Sequence, residues 1–285
     1  MEEVKRNFKD GIFKDYFRDK ERLIEAYNAI AGKDYPATSR LEFKELKSVF
    51  FKSQNDDVAF MLEDRLIVLL EAQSTINENM PLRMLLYISE IYKGNIDEKA
   101  LYQRRMSKLP TPEFFVIYYG LDKYPEKKVL KLSDAFICPA GAPSLDLVVT
   151  VLNVTEGNSV QMLEQSTALY DYAKFVSIAY KNLTGAKTDE ERDEAIKKTI
   201  EYCLEHGIMK AYLTGKDSEV RRMLITQWND EVNREVLLEE GREEGLVLGR
   251  SEGALEIARN MKAKGSETTF IMEVTGLAEE TISAL

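Results

Sequence analysis

The sequence predicts an α/β or α+β core followed by a helical, acidic C-terminal extension. Two observations carry this. Up to about Ser159, helically spaced apolar residues alternate with short runs of strand formers; beyond it, apolar residues recur at helical spacing between charged faces. The composition, 44% hydrophobic and 31% charged over 285 residues, is that of an ordinary globular protein.

Taken in order, Phe13, Phe17, Leu23, Ile24, Tyr27 and Ile30 fall three or four residues apart or at close multiples, so Phe8 to Ile30 reads as one or two amphipathic helices closed by Gly32. Val49-Phe50-Phe51, Val58 to Leu62 and Leu66 to Leu70 read as strands of a meander. Asn79 to Tyr92 reads as a helix, with Leu82, Leu85, Leu86 and Ile88 near one face and Pro81 in the first turn, where its missing N–H costs little. Strands are expected at Phe114 to Tyr119 and Val129 to Phe136, and Leu145 to Val154 is a strand or a buried segment. Val160 to Tyr180, Thr188 to Glu205 and Ser218 to Glu240 read as helices. The expected domains are residues 1–185, a helical annex at 186–240 and a glycine-spaced tail at 241–285.

Several function classes are excluded. No apolar run approaches the roughly 20 residues of a membrane-spanning helix, and Met1-Glu2-Glu3-Val4-Lys5-Arg6 has no apolar signal core, so a cytoplasmic protein without a membrane partner is expected. Cys138 and Cys203 are far apart and read as two free thiols. The single histidine rules out His-rich zinc hydrolases, and His206, before Gly207, reads as a helix-terminal residue. The net charge of −10 is unevenly placed: residues 1–131 hold 23 Lys and Arg against 22 Asp and Glu, and residues 132–285 hold 16 against 27. A phosphate-binding face is therefore expected in the N-terminal half.

Chemistry concentrates at Asn55-Asp56-Asp57 through Glu71-Ala72-Gln73. The polar Glu63-Asp64-Arg65 between two apolar runs reads as a hairpin turn, and a three-residue turn centred on Asp64 sets position 57 opposite position 71. A two-residue turn would instead set Asp56 opposite Glu71. Facing carboxylates at the ends of apolar strands repel, and burying them uncompensated would cost several kcal/mol. A divalent cation resolves the conflict, and oxygen ligands without His or Cys suit Mg²⁺ or Mn²⁺. The same residues also read as plain turn and strand-end carboxylates. Arg83 and Tyr87, four apart, suit a phosphate contact and a polar-tipped packing contact. Lys14 and the pair Arg104-Arg105 are further candidates for a phosphate contact.

Asp57, the hairpin, Glu71-Ala72-Gln73 and Pro81-Leu82-Arg83-Met84-Leu85-Leu86-Tyr87-Ile88 together resemble the recombination-promoting nuclease (Rpn)/putative transposase family of PD-(D/E)XK nucleases. The opening Asp10-Gly11-Ile12-Phe13-Lys14 and the glycine-containing tail ending in Thr275-Gly276-Leu277 resemble it too. The resemblance implies a restriction-endonuclease-like core, a mixed sheet flanked by helices. It also implies Mg²⁺-dependent cleavage of DNA, with Asp57, Glu71 and the Ala72 carbonyl holding the cation and Gln73 standing where the wider superfamily has a catalytic lysine. A further acid on the first helix often completes such sites, and Glu25 is the best-placed residue.

In the tail, Gly241, Gly245, Gly249 and Gly253 recur every four residues. Each glycine costs a helix roughly 1 kcal/mol relative to alanine, so a close helix contact, and hence a homo-oligomer, is expected in preference to a mobile linker. Residues 266–285 look like half of a helix-turn-helix, but Ala278 to Leu285 has no Lys or Arg and two glutamates. Base reading by that helix is not expected, and a small partner-docking unit is.

Overall fold

The computed structural model of the chain describes residues 11–44, 58–64, 66–96, 98–120, 122–138 and 141–285. By contacts the chain divides into two compact units, Met1–Thr226 and Gln227–Leu285.

The first unit opens with α1 (Ile12–Tyr16) and α2 (Lys20–Ala31). Asp19 caps α2 by accepting a hydrogen bond from the Arg22 amide (3.0 Å), and Gly32 ends it in the left-handed region at φ 62°. Among the described residues six strands follow: β1 (Leu41–Lys44), β2 (Val58–Leu62), β3 (Leu66–Gln73), β4 (Thr111–Tyr118), β5 (Lys127–Lys131) and β6 (Val148–Asn153). Their spatial order is β1-β2-β3-β4-β6-β5. The first three are antiparallel, β3, β4 and β6 run parallel, and β5 closes the far edge antiparallel to β6. The sheet is therefore mixed, with its parallel strands central, where both faces must be covered.

Alternation along β4 assigns the two faces. Phe114, Val116 and Tyr118 share a core with Met84, Ile88 and Ile91 of α3 (Met80–Asn95). Phe115 and Tyr119 point the other way: Phe115 meets Tyr27 of α2 (ring centroids 6.4 Å), and Tyr119 meets Tyr172 of α5 (Thr167–Leu183; 6.2 Å). Phe13 of α1 packs edge-on against the same Tyr172 at 5.1 Å. The sheet thus lies between α3 on one face and α1, α2 and α5 on the other, a three-layer arrangement.

Three differences from the sequence reading have local causes. The run from Val129 to Phe136 is strand only to Lys131; Leu132–Ala135 turns as a 3-10 helix because the Asp146 carboxylate captures the Ser133 and Leu147 amides (3.0 and 2.9 Å). The expected helix from Val160 to Tyr180 is α4 (Val160–Glu164) and α5, separated at Ser166, whose hydroxyl caps α5 by accepting from the Leu169 amide. Strand β1 was not anticipated, since four residues at a sheet edge give little period to read. The expected strand at Val49-Phe50-Phe51 lies outside the described residues.

Helix α6 (Asp189–Glu205) begins in a capping box of Thr188 and Glu191 and ends at His206, whose Nδ1 lies 2.8 Å from the Tyr202 carbonyl, with Gly207 at φ 76°. Cys203 is buried, which pushes its thiol up to about 12, and Cys138 is exposed. Arg221, near the start of α8 (Asp217–Ala263), sets its guanidinium on both oxygens of Asp193, and Asp15 of α1 accepts from Lys216 and from Tyr212 of α7 (Lys210–Leu213) at 2.7 and 2.9 Å. These ties join the helices up to Thr226 to the sheet, and the division falls inside the segment 186–240 that the sequence sets apart as an annex. The second unit holds the rest of α8 with α9 (Thr268–Thr275) and α10 (Glu279–Ala284). Among the described residues no helix is long and apolar enough to cross a membrane.

Candidate active site

The hairpin that carries the acidic motif pairs Val58 with Leu70 through Leu62 with Leu66, with Glu63 and Asp64 in the turn after β2. For these pairs the register is the one a three-residue turn gives, not the two-residue alternative. Glu63 and Asp64 take left-handed φ values of 54° and 55°, a conformation that costs a non-glycine residue about 1–2 kcal/mol. Arg40 offsets this from the start of β1. Its amide donates to Glu63 Oε1 (2.8 Å), its carbonyl accepts from the Glu63 amide (2.9 Å), and its guanidinium meets Asp64 Oδ2 (2.5 Å). Asp57, immediately before β2, lies outside the described residues, as does the side chain of Glu71.

The backbone of Glu71, Ala72 and Gln73 forms the carboxyl end of β3, beside Val116, Ile117 and Tyr118 of β4. The Gln73 carbonyl accepts from the Tyr119 amide at 2.9 Å, on the β4 side. Successive carbonyls of a strand point to opposite sides, so that of Ala72 points toward β2, whose described pairing with β3 ends at Val58 and Leu70. Among the described residues no three His, Cys, Asp or Glu side chains gather as a metal-holding group. The donors described at this edge, the Ala72 carbonyl and the Gln73 amide, are oxygen-bearing and fit a hard cation such as Mg²⁺ better than a soft one.

Three of the expected site residues converge. Gln73 Nε2 donates to the thioether of Met80, a fully buried residue opening α3, at 2.8 Å; Arg83 Nη1 approaches the same sulfur at 3.7 Å. Arg83 Nη2 donates to the Tyr87 hydroxyl at 3.1 Å, and its guanidinium lies 5.8 Å from that ring. Gln73, Arg83 and Tyr87 thus form one row running from the strand end along α3. Lys14 and Glu25 stand elsewhere, on the helices covering the opposite face of the sheet. Lys14 is half-buried on α1, and the Glu25 carboxylate accepts from the Ala168 amide (3.1 Å) in the first turn of α5, a favourable place for a negative charge. Arg104 and Arg105 are exposed before β4.

Sequence reading missed Met80 as the hub of the row and Gly120 as its support. A Cβ on Gly120 would come within 1.7 Å of the Ser74 carbonyl oxygen, so only glycine lets the chain leaving β4 lie against the chain leaving β3. A glycine directly after Tyr118-Tyr119 was the available signal. The same carboxyl edge carries a cavity of about 490 Å³ between the ends of β4 and β6 and helix α5, bordered by Tyr119, Asn153, Ser177 and Tyr180. Its charged border, Lys123 and Lys181 against Asp122 and Glu156, cancels, and Lys181 is already paired with Glu156 at 3.1 Å. Phosphate has no reason to collect there.

In the second unit, Ala258 of α8, Ile271 of α9 and Ile282 of α10 form a small core with Met261, Met272, Leu277 and Leu285 around it. Gly276, at φ 70°, makes the tight turn after α9, and Lys262 Nζ donates to the carbonyls of Ile282 and Ser283 (2.8 and 2.9 Å), closing α10 onto α8. The unit is a complete helix-turn-helix whose first helix is the end of α8; sequence reading saw only half of it, because that first helix was hidden in the glycine-spaced stretch. Residues 251–285 hold three basic and six acidic side chains. These residues match the family model described as the C-terminal HTH domain of the Rpn/YhgA-like nuclease family. No curated protein and no solved structure shows significant similarity to the chain.

Proposed function

We propose, for a chain whose residues 251–285 match the C-terminal HTH domain of the Rpn/YhgA-like nuclease family, that the first unit is a PD-(D/E)XK-type, metal-dependent DNA endonuclease of low sequence specificity. Its work falls in recombination, mobile-element biology or defence. The observation that carries this reading is the β2–β3 register, which ends the described ladder at Val58 and Leu70, one step short of the acidic motif. Asp57, Glu71 and the Ala72 carbonyl would hold the cation. When bound, Mg²⁺ or Mn²⁺ supplies polarisation of the phosphodiester and a lowered pKa for the attacking water. Gln73, held by Met80, positions that water through a neutral amide and adds no charge. Arg83, braced by Tyr87, contacts the phosphate chain, where a guanidinium offers paired donors. The acidic second unit supports low specificity, since α10 brings two glutamates and no cation to a recognition position.

That acidity favours a second reading, a nuclease fold with feeble hydrolysis whose C-terminal region assembles partners, including further copies of the chain. One comparison separates the two: nicking of supercoiled plasmid with Mg²⁺, Mn²⁺ or EDTA by the intact protein and by an Asp57→Ala/Glu71→Ala variant. The nuclease reading expects metal-dependent nicking that falls at least a hundredfold in the variant, on the order of a lost electrostatic catalytic contact. Equal nicking by both proteins, or none with either metal, leaves the assembly reading.

A further inference from the structure

The segment between α3 and β4 is chemically unlike the rest of this acidic chain. It opens with Asp97 and Glu98, but from Lys99 to Pro110 it holds four cations, Lys99, Arg104, Arg105 and Lys108, and no acidic residue. It presents large apolar side chains to solvent: Tyr102 is 92% exposed, Met106 79% and Leu101 65%. Its end is fastened, since the Tyr92 hydroxyl of α3 donates to the Pro110 carbonyl at 2.6 Å. Apolar surface of this size with cations beside it marks a contact surface, and the charge selects a polyanion.

We propose that residues 99–109 bind single-stranded nucleic acid, with phosphates on the four cations and an unpaired base stacked on Tyr102. The nucleic-acid class rests on the nuclease reading; the place does not coincide with it. Thr111, where the segment enters the sheet, pairs with Leu66 at the turn end of the hairpin, whereas Gln73 pairs with Tyr118 at the other end. At a rise of about 3.3 Å per residue, β4 separates the two places by roughly 23 Å. The surface therefore holds a stretch of nucleic acid distinct from the one being cut. Adjacent guanidiniums suit the planar, paired acceptors of successive phosphates, and one fully presented ring suits a base, whose π-face needs no sequence match. An anionic membrane shares the charge but is the poorer fit. A short 3-10 turn, Glu98–Tyr102, followed by irregular chain offers no amphipathic helix to lie in the lipid interface.

The test is fluorescence anisotropy of a labelled oligothymidylate of about 16 nucleotides, in EDTA so that cutting plays no part. The full chain is compared with an Arg104→Ala/Arg105→Ala/Lys108→Ala variant and with Tyr102→Ala. The triple variant is expected to bind at least about tenfold more weakly at 0.1 M salt and to lose roughly 2 from the slope of log affinity against log salt. Tyr102→Ala is expected to weaken single-strand binding about fivefold or more, with little effect on a duplex of the same length. Unchanged affinity and slope in the triple variant overturn the proposal. So does a loss confined to flotation with phosphatidylserine-containing vesicles, which would assign the surface to membrane. Because binding is read without metal, these results stand apart from whether the protein nicks plasmid.

Discussion

The two compact units bury their apolar residues by different means. In the first, a central strand is covered on both faces, so Val116, Ile117 and Tyr118 are at most 1% exposed and Phe60 of β2 is fully buried against the α2 side. In the second, Ala258, Ile271 and Ile282 are the buried core of three helices. A site needing fixed distances belongs on the first kind of scaffold, because close-packed interiors resist displacement. The second kind is near the lower limit of what a core can hold and suits a docking unit that opens and closes more readily. Charge follows the same division: the cations suited to phosphate are in the first 131 residues, and the helix-turn-helix is acidic.

The sharpest way to break this contrast is to empty each core. Phe60→Ala should cost about 3–5 kcal/mol and lower the melting transition of the whole first unit. Ile271→Ala should abolish amide protection across residues 254–285 while leaving exchange in β3 and β4 at wild-type rates. If Ile271→Ala also raised exchange in the sheet, the two units would fold as one and the contrast would fail.

How far each unit was legible in the sequence follows the same physics. Val58 to Leu70 could be read as a hairpin with two candidate registers, because two apolar runs around a polar triplet leave few pairings that keep the apolar faces in place, and the structure carries the three-residue one. Arg83 and Tyr87 were legible as a pair four residues apart on α3. Their link to Gln73 was not, because it passes through Met80, an apolar residue whose sulfur accepts weakly and leaves no mark in a hydrophobic pattern. Glu25 had the right residue type on the expected helix, but only tertiary structure reveals that its carboxylate meets the first turn of α5. The helix-turn-helix was half legible because its first helix continues α8 without a break or cap to announce it.

A smaller effect tests the helical side of the first unit. Burial alone would raise the Asp15 carboxyl, but hydrogen bonds from Lys216 and Tyr212 outweigh it and hold the group below the usual carboxylate range. A depressed pKa in the folded state means the stabilisation is present above the unfolded value, near 3.9, and is lost as pH falls through the lower folded one. Asp15→Asn should therefore destabilise the first unit by about 1.5–3 kcal/mol at pH 7, and the difference from wild type should shrink as pH falls from about 3.9 through the lower folded value. Asp171 runs the other way: burial raises it despite a hydrogen bond from the Met209 amide. The contribution of Asp171 is fully present below the unfolded value and lost as pH rises through the folded one. A pH-independent Asp15→Asn effect would mean that the ties to α7 and α8 are not ionic.

The smallest expected effect separates the two kinds of glycine. Gly120 is enclosed, so Gly120→Ala must push Ser74 and the end of β3 aside and should destabilise the first unit by about 1 kcal/mol or more. Gly245, Gly249 and Gly253 of α8 have open space where a Cβ would stand. In an isolated chain, Gly249→Ala should therefore stabilise the helix by about 1 kcal/mol, read as a rise in helical circular dichroism on thermal denaturation, with no change in mass by light scattering. The expectation of a homo-oligomer from the four-residue spacing makes the opposite demand. If a second copy packs its helix against this stripe, the added methyl group occupies the contact, and the same substitution should lower the assembled mass and its melting temperature together. One alanine thus decides whether the spaced glycines serve a contact between chains or only lower the helix propensity of α8.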